Sequence, residues 1–100
     1  MNDKNAFRYI TDDPITLELT GCSSAGEVHE RIKRTFGFPE YYGENWDAMW
    51  DCMDGLFDRR EIVVRGFRTM PQEVQDYSRP LLEILEELHR ENPEITYRME

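Results

Sequence analysis

From Ile15 the chain alternates: Ile15, Leu17 and Leu19 are apolar, and Thr16, Glu18 and Thr20 between them are polar. That two-residue period predicts a strand buried on one face, closed by Gly21. The period then lengthens. Val28, Ile32 and Phe36 recur every four residues, and Ser24 stands three before Glu27. This is the spacing of a capping box, in which each side chain satisfies an orphan backbone N–H. It predicts a helix over 24–36, stopped by Gly37 and Pro39. A second helix is predicted from about Asn45 to Phe57. Ile62-Val63-Val64 is β-branched without alternation, which predicts a strand over 61–65 covered on both faces. Thr69 and Gln72 have capping-box-like spacing, for a short helix with Val74 and Tyr77 inward. Ser78 and Pro80 open a longer helix with Leu81, Leu85 and Leu88 on one face, ending before Pro93. Ile95, Tyr97 and Met99 alternate with Thr96 and Arg98 as a last strand.

The predicted order is β-α-α-β-α-α-β, an α/β class. Strands joined by helical crossovers lie parallel, so the expectation is a three-stranded parallel sheet with packed helices, strand 61–65 in the middle. One hundred residues allow one domain. Residues 1–13 are polar apart from Phe7, Tyr9 and Ile10 and end in Asp12-Asp13-Pro14. They read as an N-terminal extension to a domain over 14–100.

Charge narrows the partners. There are 21 acidic and 12 basic residues, a net charge of −9. Such a surface repels phosphate backbones and anionic membranes and favours a cationic protein. Cys22 and Cys52 lie far apart with no CxxC and no histidine at ligand spacing, which predicts free, packed thiols in a reducing compartment. No basic segment followed by an apolar run opens the chain, and the longest apolar run is three residues. The expectation is a cytoplasmic protein.

The second helix carries the candidate chemistry. At about 100° per residue, Trp46, Met49, Trp50, Met53, Leu56 and Phe57 share a sector about 120° wide, an ordinary core stripe. Trp46 is expected in the core. Trp50 lies at the edge of the stripe, able to pack beneath and expose an edge. Glu44, Asp47, Asp51, Asp54 and Asp58 gather on a sector about 80° wide opposite. Carboxylates three and four apart repel by a few tenths of a kcal/mol, and Asp54 also opposes the helix dipole. Asp47, behind an Asn45 N-cap, is favourable. No Lys or Arg lies between Arg34 and Arg59 to neutralise the row. Folding alone favours interleaved lysines, so the row points to a basic binding partner, and Tyr41-Tyr42-Gly43 precedes it with side chains of the interface type.

Pro39-Glu-Tyr-Tyr-Gly-Glu-Asn-Trp-Asp-Ala-Met-Trp-Asp-Cys52, followed by Gly55, closely resembles the signature segment of the barstar family, intracellular inhibitors of secreted guanyl-specific ribonucleases. The resemblance extends more loosely over Pro14 to Met99. It implies the same three-stranded parallel fold and a mechanism in which the acidic helix plugs a cationic active site. By that resemblance Asp51 replaces a substrate phosphate, Asp47 supports it, and Tyr41 packs against an active-site side chain. Asn45, Trp50 and Gly55 line the contact. Glu87, or its neighbour Glu86, contributes from the last helix. Two departures stand out: Leu56 where the family carries a tryptophan, and Asp54, where it carries a threonine, adding charge to the contact face.

The resemblance therefore implies a one-to-one complex with a basic extracellular-type ribonuclease, no cofactor, no metal, no direct nucleic-acid contact, and a monomer when free. An enzyme is the first rival. Against it, carboxylates spaced along one helix form a row and not a converging cage, no nucleophile–base motif is present, and His29 and His89 sit on helices away from the row. The second rival keeps the surface and changes the target to a different basic toxin or nucleic-acid-binding protein.

Overall fold

A computed structural model describes residues 14–54 and 59–100. The alternating segment forms β1 (Ile15–Glu18), with Ile15 and Leu17 buried and Thr16 exposed. β2 (Arg60–Arg65) and β3 (Ile95–Met99) complete a sheet of order β1-β2-β3. Both pairings are parallel, with Thr16 opposite Val63 and Val63 opposite Arg98. The non-alternating strand is thus the middle one, as expected.

It is covered on both faces, as predicted, although only one of them joins the main core. Ile62 and Val64 join the main core, while Val63, 2% exposed, points to the other face. There it is flanked by Thr16 and Arg98 in register and by Glu61 and Arg65 two positions along. Arg98 pairs with Glu61 and Glu100, and Arg65 with Glu18 (3.8 Å) and Glu100 (3.6 Å). Long charged side chains can cover apolar surface with their stems while their heads reach water, so a β-branched run need not mean two apolar layers.

Four helices cross between the strands, giving the order β-α-α-β-α-α-β with a 3-10 turn at Phe67–Thr69. In α1 (Ala25–Phe36), Ser24 Oγ accepts from the Glu27 N–H at 3.2 Å. The return bond is shifted by one residue: Glu27 accepts from the Ser23 N–H at 2.6 Å. Gly37 ends α1 in the left-handed region at φ 69°, where a side chain is unfavourable. Val28, Ile32 and Phe36 meet Ile15, Leu17, Ile62, Val64 and Ile95 in one core with Leu81, Leu85 and Leu88 of α4 (Arg79–Glu91).

Three sequence expectations are corrected. α2 spans Trp46–Met53, because Asp54 already turns to ψ 122°. A carboxylate at the negative helix end, followed by glycine, favours that stop; the predicted continuation to Phe57 falls outside the described residues. α3 (Gln72–Tyr77) has no side-chain cap, since the Thr69 hydroxyl donates to Gly66 O at 2.6 Å within the 3-10 turn. Tyr77 is not an inward core residue: it is 39% exposed, and its hydroxyl bonds to a histidine described below.

Candidate protein-binding site

The segment before α2 is a turn with one anchored side. Phe38 is buried, its ring 5.9 Å from Phe36 and 5.1 Å from Tyr42. The Tyr42 N–H donates to Pro39 O at 3.0 Å. This turn sends Tyr42 inward at 6% exposure and leaves Tyr41 outward at 73%. Glu44 then takes φ 56°, a left-handed conformation costing a non-glycine residue about 1–2 kcal/mol. Asn45 follows as the N-cap of α2: its Oδ1 accepts from the Ala48 N–H at 2.8 Å, and its Nδ2 donates to Gly43 O at 3.3 Å. The side chain predicted as a contact also fixes where α2 begins.

Along α2 the buried centre of the stripe is Met49 and Met53. Trp46 and Trp50 pack against the core from its margin and stay half-buried. Trp46 is therefore less interior than its central place in the stripe suggested, because the stripe faces two neighbours, the core and α4. Between α2 and α4 runs a groove of about 250 Å³. Trp46, Asp47 and Trp50 form one wall, and Pro80, Glu83, Ile84 and Glu87 form the other.

Asp47, Asp51 and Asp54 are exposed and, among the described residues, carry no ion pair and no side-chain hydrogen bond. Several carboxylates elsewhere are ion-paired, Glu40 with Lys33 at 3.0 Å, Glu30 with Arg34 at 3.3 Å and Asp76 with Arg79 at 3.4 Å, while others such as Glu73 and Glu83 share the unpaired state of the row. Of the two candidates on α4, Glu87 lines the groove, and its carboxylate pairs with Arg90 at 2.6 Å. Glu86 instead accepts from the Tyr97 hydroxyl at 2.7 Å, a bond that raises the Tyr97 pKa. Gly55, expected to line the contact, lies outside the described residues, as does the extension over 1–13.

His29 lies beneath this surface, where sequence reading had placed it away from the row. It is 1% exposed, with Nδ1 2.7 Å from the Tyr42 hydroxyl and Nε2 2.8 Å from the Tyr77 hydroxyl. The Trp46 ring lies over it at a centroid distance of 4.4 Å. Burial pushes the His29 pKa down, and the Glu44 carboxylate opposes that in part. The signal was available: His29 stands three before Ile32 and seven before Phe36, on the buried side of α1. Glu83 and Ile84 were missed too, although with Pro80 and Glu87 they recur at helical spacing on one face.

Cys22 is buried and Cys52 half-buried, both free, and burial raises both thiol pKa values. A raised pKa leaves less thiolate, the reactive form. Among the described residues no cluster of three or more His, Cys, Asp or Glu is arranged to hold a metal ion, and no helix is long and apolar enough to cross a membrane.

A three-stranded parallel α/β protein with an unneutralised acidic helix beside a tryptophan-walled groove is the class that fold and site define. A family model described as "Barstar (barnase inhibitor)" matches residues 13–99. The chain belongs to the barstar family. It is also similar to a Bacillus subtilis (strain 168) protein named "Putative ribonuclease inhibitor YrdF", with 34% identity over 65 residues covering 64% of this chain and 71% of that protein.

Proposed function

We propose that the protein is an intracellular inhibitor of a secreted, cationic, guanyl-specific microbial ribonuclease, which it binds one-to-one as a monomer, without a cofactor. The observation that carries this reading is the row Asp47 and Asp51 on α2 and Asp54 at its C-cap, exposed with no partner of its own among the described residues. Leaving carboxylates three and four apart unneutralised costs the free protein stability, and a cationic surface removes that cost on binding. Family membership supports a ribonuclease as the partner, and its active site is the cationic surface this reading assigns.

In this reading Asp51, midway along α2, takes the place of an RNA phosphate, and Asp47 shares its positive partners. Tyr41 offers an exposed ring from a rigid turn, at little entropic cost. Trp50 and Glu87 receive partner side chains at the groove, and Asn45 and Gly55 shape the approach. Asp54 adds charge at the end of the row. Blocking the active site excludes RNA by steric overlap and by charge.

The test is titration of the purified protein against guanyl-specific microbial ribonucleases, scoring RNA hydrolysis and the stoichiometry of inhibition. Inhibition complete at one equivalent supports the proposal. Absence of inhibition across that class, with capture of another basic toxin or nucleic-acid-binding protein, would transfer the same surface to a different target.

A further inference from the structure

The His29 site contains more information than its burial. A neutral imidazole offers one donor and one acceptor, so Tyr42 and Tyr77, bonded to opposite ring nitrogens, must play opposite parts. Exposure decides which. If the buried Tyr42 hydroxyl accepted from His29, its own proton would be left in the interior with no acceptor among the described residues, an arrangement proteins avoid. Tyr42 therefore donates to Nδ1. His29 then carries its proton on Nε2 and donates to Tyr77, a 39% exposed residue whose bond to His29 is only part-buried, so that water can accept from the hydroxyl.

The same residues grip the start of α2. The Trp46 centroid is 4.4 Å from His29 and 5.3 Å from Tyr77, and the Tyr77 ring meets His29 edge-on at 5.8 Å. Tyr42, the other end of the chain of bonds, anchors the turn that projects Tyr41. Tyr77 is the last residue of α3, so this contact ties α3 to the binding side of the molecule.

We infer that Tyr77 is a positioning residue of the binding face: it accepts from the Nε2–H tautomer of His29 that Tyr42 sets, and through His29 it holds the Trp46 indole that walls the groove. The consequence for binding rests on the ribonuclease-inhibitor reading; the tautomer concerns the free protein alone.

Nitrogen NMR of the His29 imidazole in the free full chain is the first arm, at a pH where the ring is neutral. The Nε2-protonated form is expected, and the Nδ1-protonated form overturns the inference. The second arm uses Tyr77→Phe, which keeps the ring and removes only the hydroxyl. It is expected to weaken binding to an inhibited ribonuclease about fivefold to tenfold, the equivalent of one hydrogen bond. In a Trp46→Leu background the same change is expected to cost less than about twofold, because the residue through which it acts is gone. Equal losses in both backgrounds overturn the routing through Trp46. If the wild-type protein inhibits no ribonuclease, the functional reading fails, and the tautomer measurement still decides the local inference.

Discussion

Tyr41 and Tyr42 are adjacent in sequence and opposite in environment: Tyr41 is 73% exposed, and Tyr42, 6% exposed, lies against Phe38 with its hydroxyl on His29. A turn in which one ring is locked in the core presents the next ring with few conformations to lose on binding. The same division recurs in α2, where Met49 and Met53 fix the helix and Asp47 and Asp51 project from it. The candidate binding surface is the outer side of well-packed elements, the arrangement that keeps ordering costs low.

Asp51→Ala is expected to weaken ribonuclease binding by about 3–5 kcal/mol, as removal of one partner of a desolvated charge pair does, this family's own complex being among the cases behind that rule. Asp58→Ala should cost far less, because the family resemblance assigns Asp58 no contact, and a charge without a direct partner acts mainly on the rate of encounter. Dissociation constants of the two variants check this, and equal losses would remove Asp51 from the role of phosphate substitute.

The association rate should fall steeply with salt, by about tenfold or more from low to high ionic strength, since a net charge of −9 steers a cationic partner over distances that salt screens. Stopped-flow measurements across a salt series test this. A flat response would mean that the charge row does not guide encounter.

Stability should decline as pH drops through about 6.5. The folded His29 has a lowered pKa, because burial disfavours its charged form. Above about pH 6.5, the ordinary imidazole value, the ring is neutral folded and unfolded alike, and the term is constant. Below it the unfolded chain binds a proton that the folded protein refuses, so stability falls with pH by at most about 1.4 kcal/mol per unit until the lower folded pKa is reached. Glu44, Tyr42 and Tyr77 are the titratable groups facing the ring, and the carboxylate of Glu44 moderates the effect. Urea midpoints between pH 8 and pH 5 should show the slope, and His29→Gln should remove it.

Gly66→Ala should destabilise the fold by about 1–3 kcal/mol. Gly66 has φ 79°, and an added Cβ would meet Thr20 backbone at 2.5–2.7 Å, so both conformation and space forbid a side chain. Thermal melting of the variant against wild type gives the difference, and an unchanged melting temperature would show that the β1 and β2 ends can separate without cost.

Ser78→Ala should be neutral or stabilising by up to about 1 kcal/mol. Ser78 is fully buried between α3 and α4, and its hydroxyl has no hydrogen-bond partner among the described residues. Denaturant midpoints decide it; a loss of more than about 1 kcal/mol would reveal a bond that this hydroxyl makes in solution.

Much of the fold was legible because it rests on local periodicity. The period of two in β1, the four-residue spacing in α1 and the apolar face of α4 each state which side is buried, and parallel pairing follows from the crossovers. Residue type alone misleads at one cap. Thr69 has the residue type of a helix cap, but cap geometry depends on backbone torsions, which the 3-10 turn sets there; Ser78 does stand at the N-cap position of α4. The β2 run is covered on both faces as its composition suggested, but composition did not say that only one of those faces joins the main core.

The acidic helix, its missing counter-charges and the Pro39–Cys52 segment that carries the family resemblance were determined by the sequence alone. They lie within a few turns of one another, where spacing fixes geometry. Only the tertiary structure decided that Glu87 and not Glu86 faces the groove, that Trp46 forms a wall of it, and that His29 joins Tyr42 and Tyr77 beneath it. Those relations cross 13 and 48 positions of chain, and over such separations the packing of α1, α2 and α3 around one core sets which side chains meet.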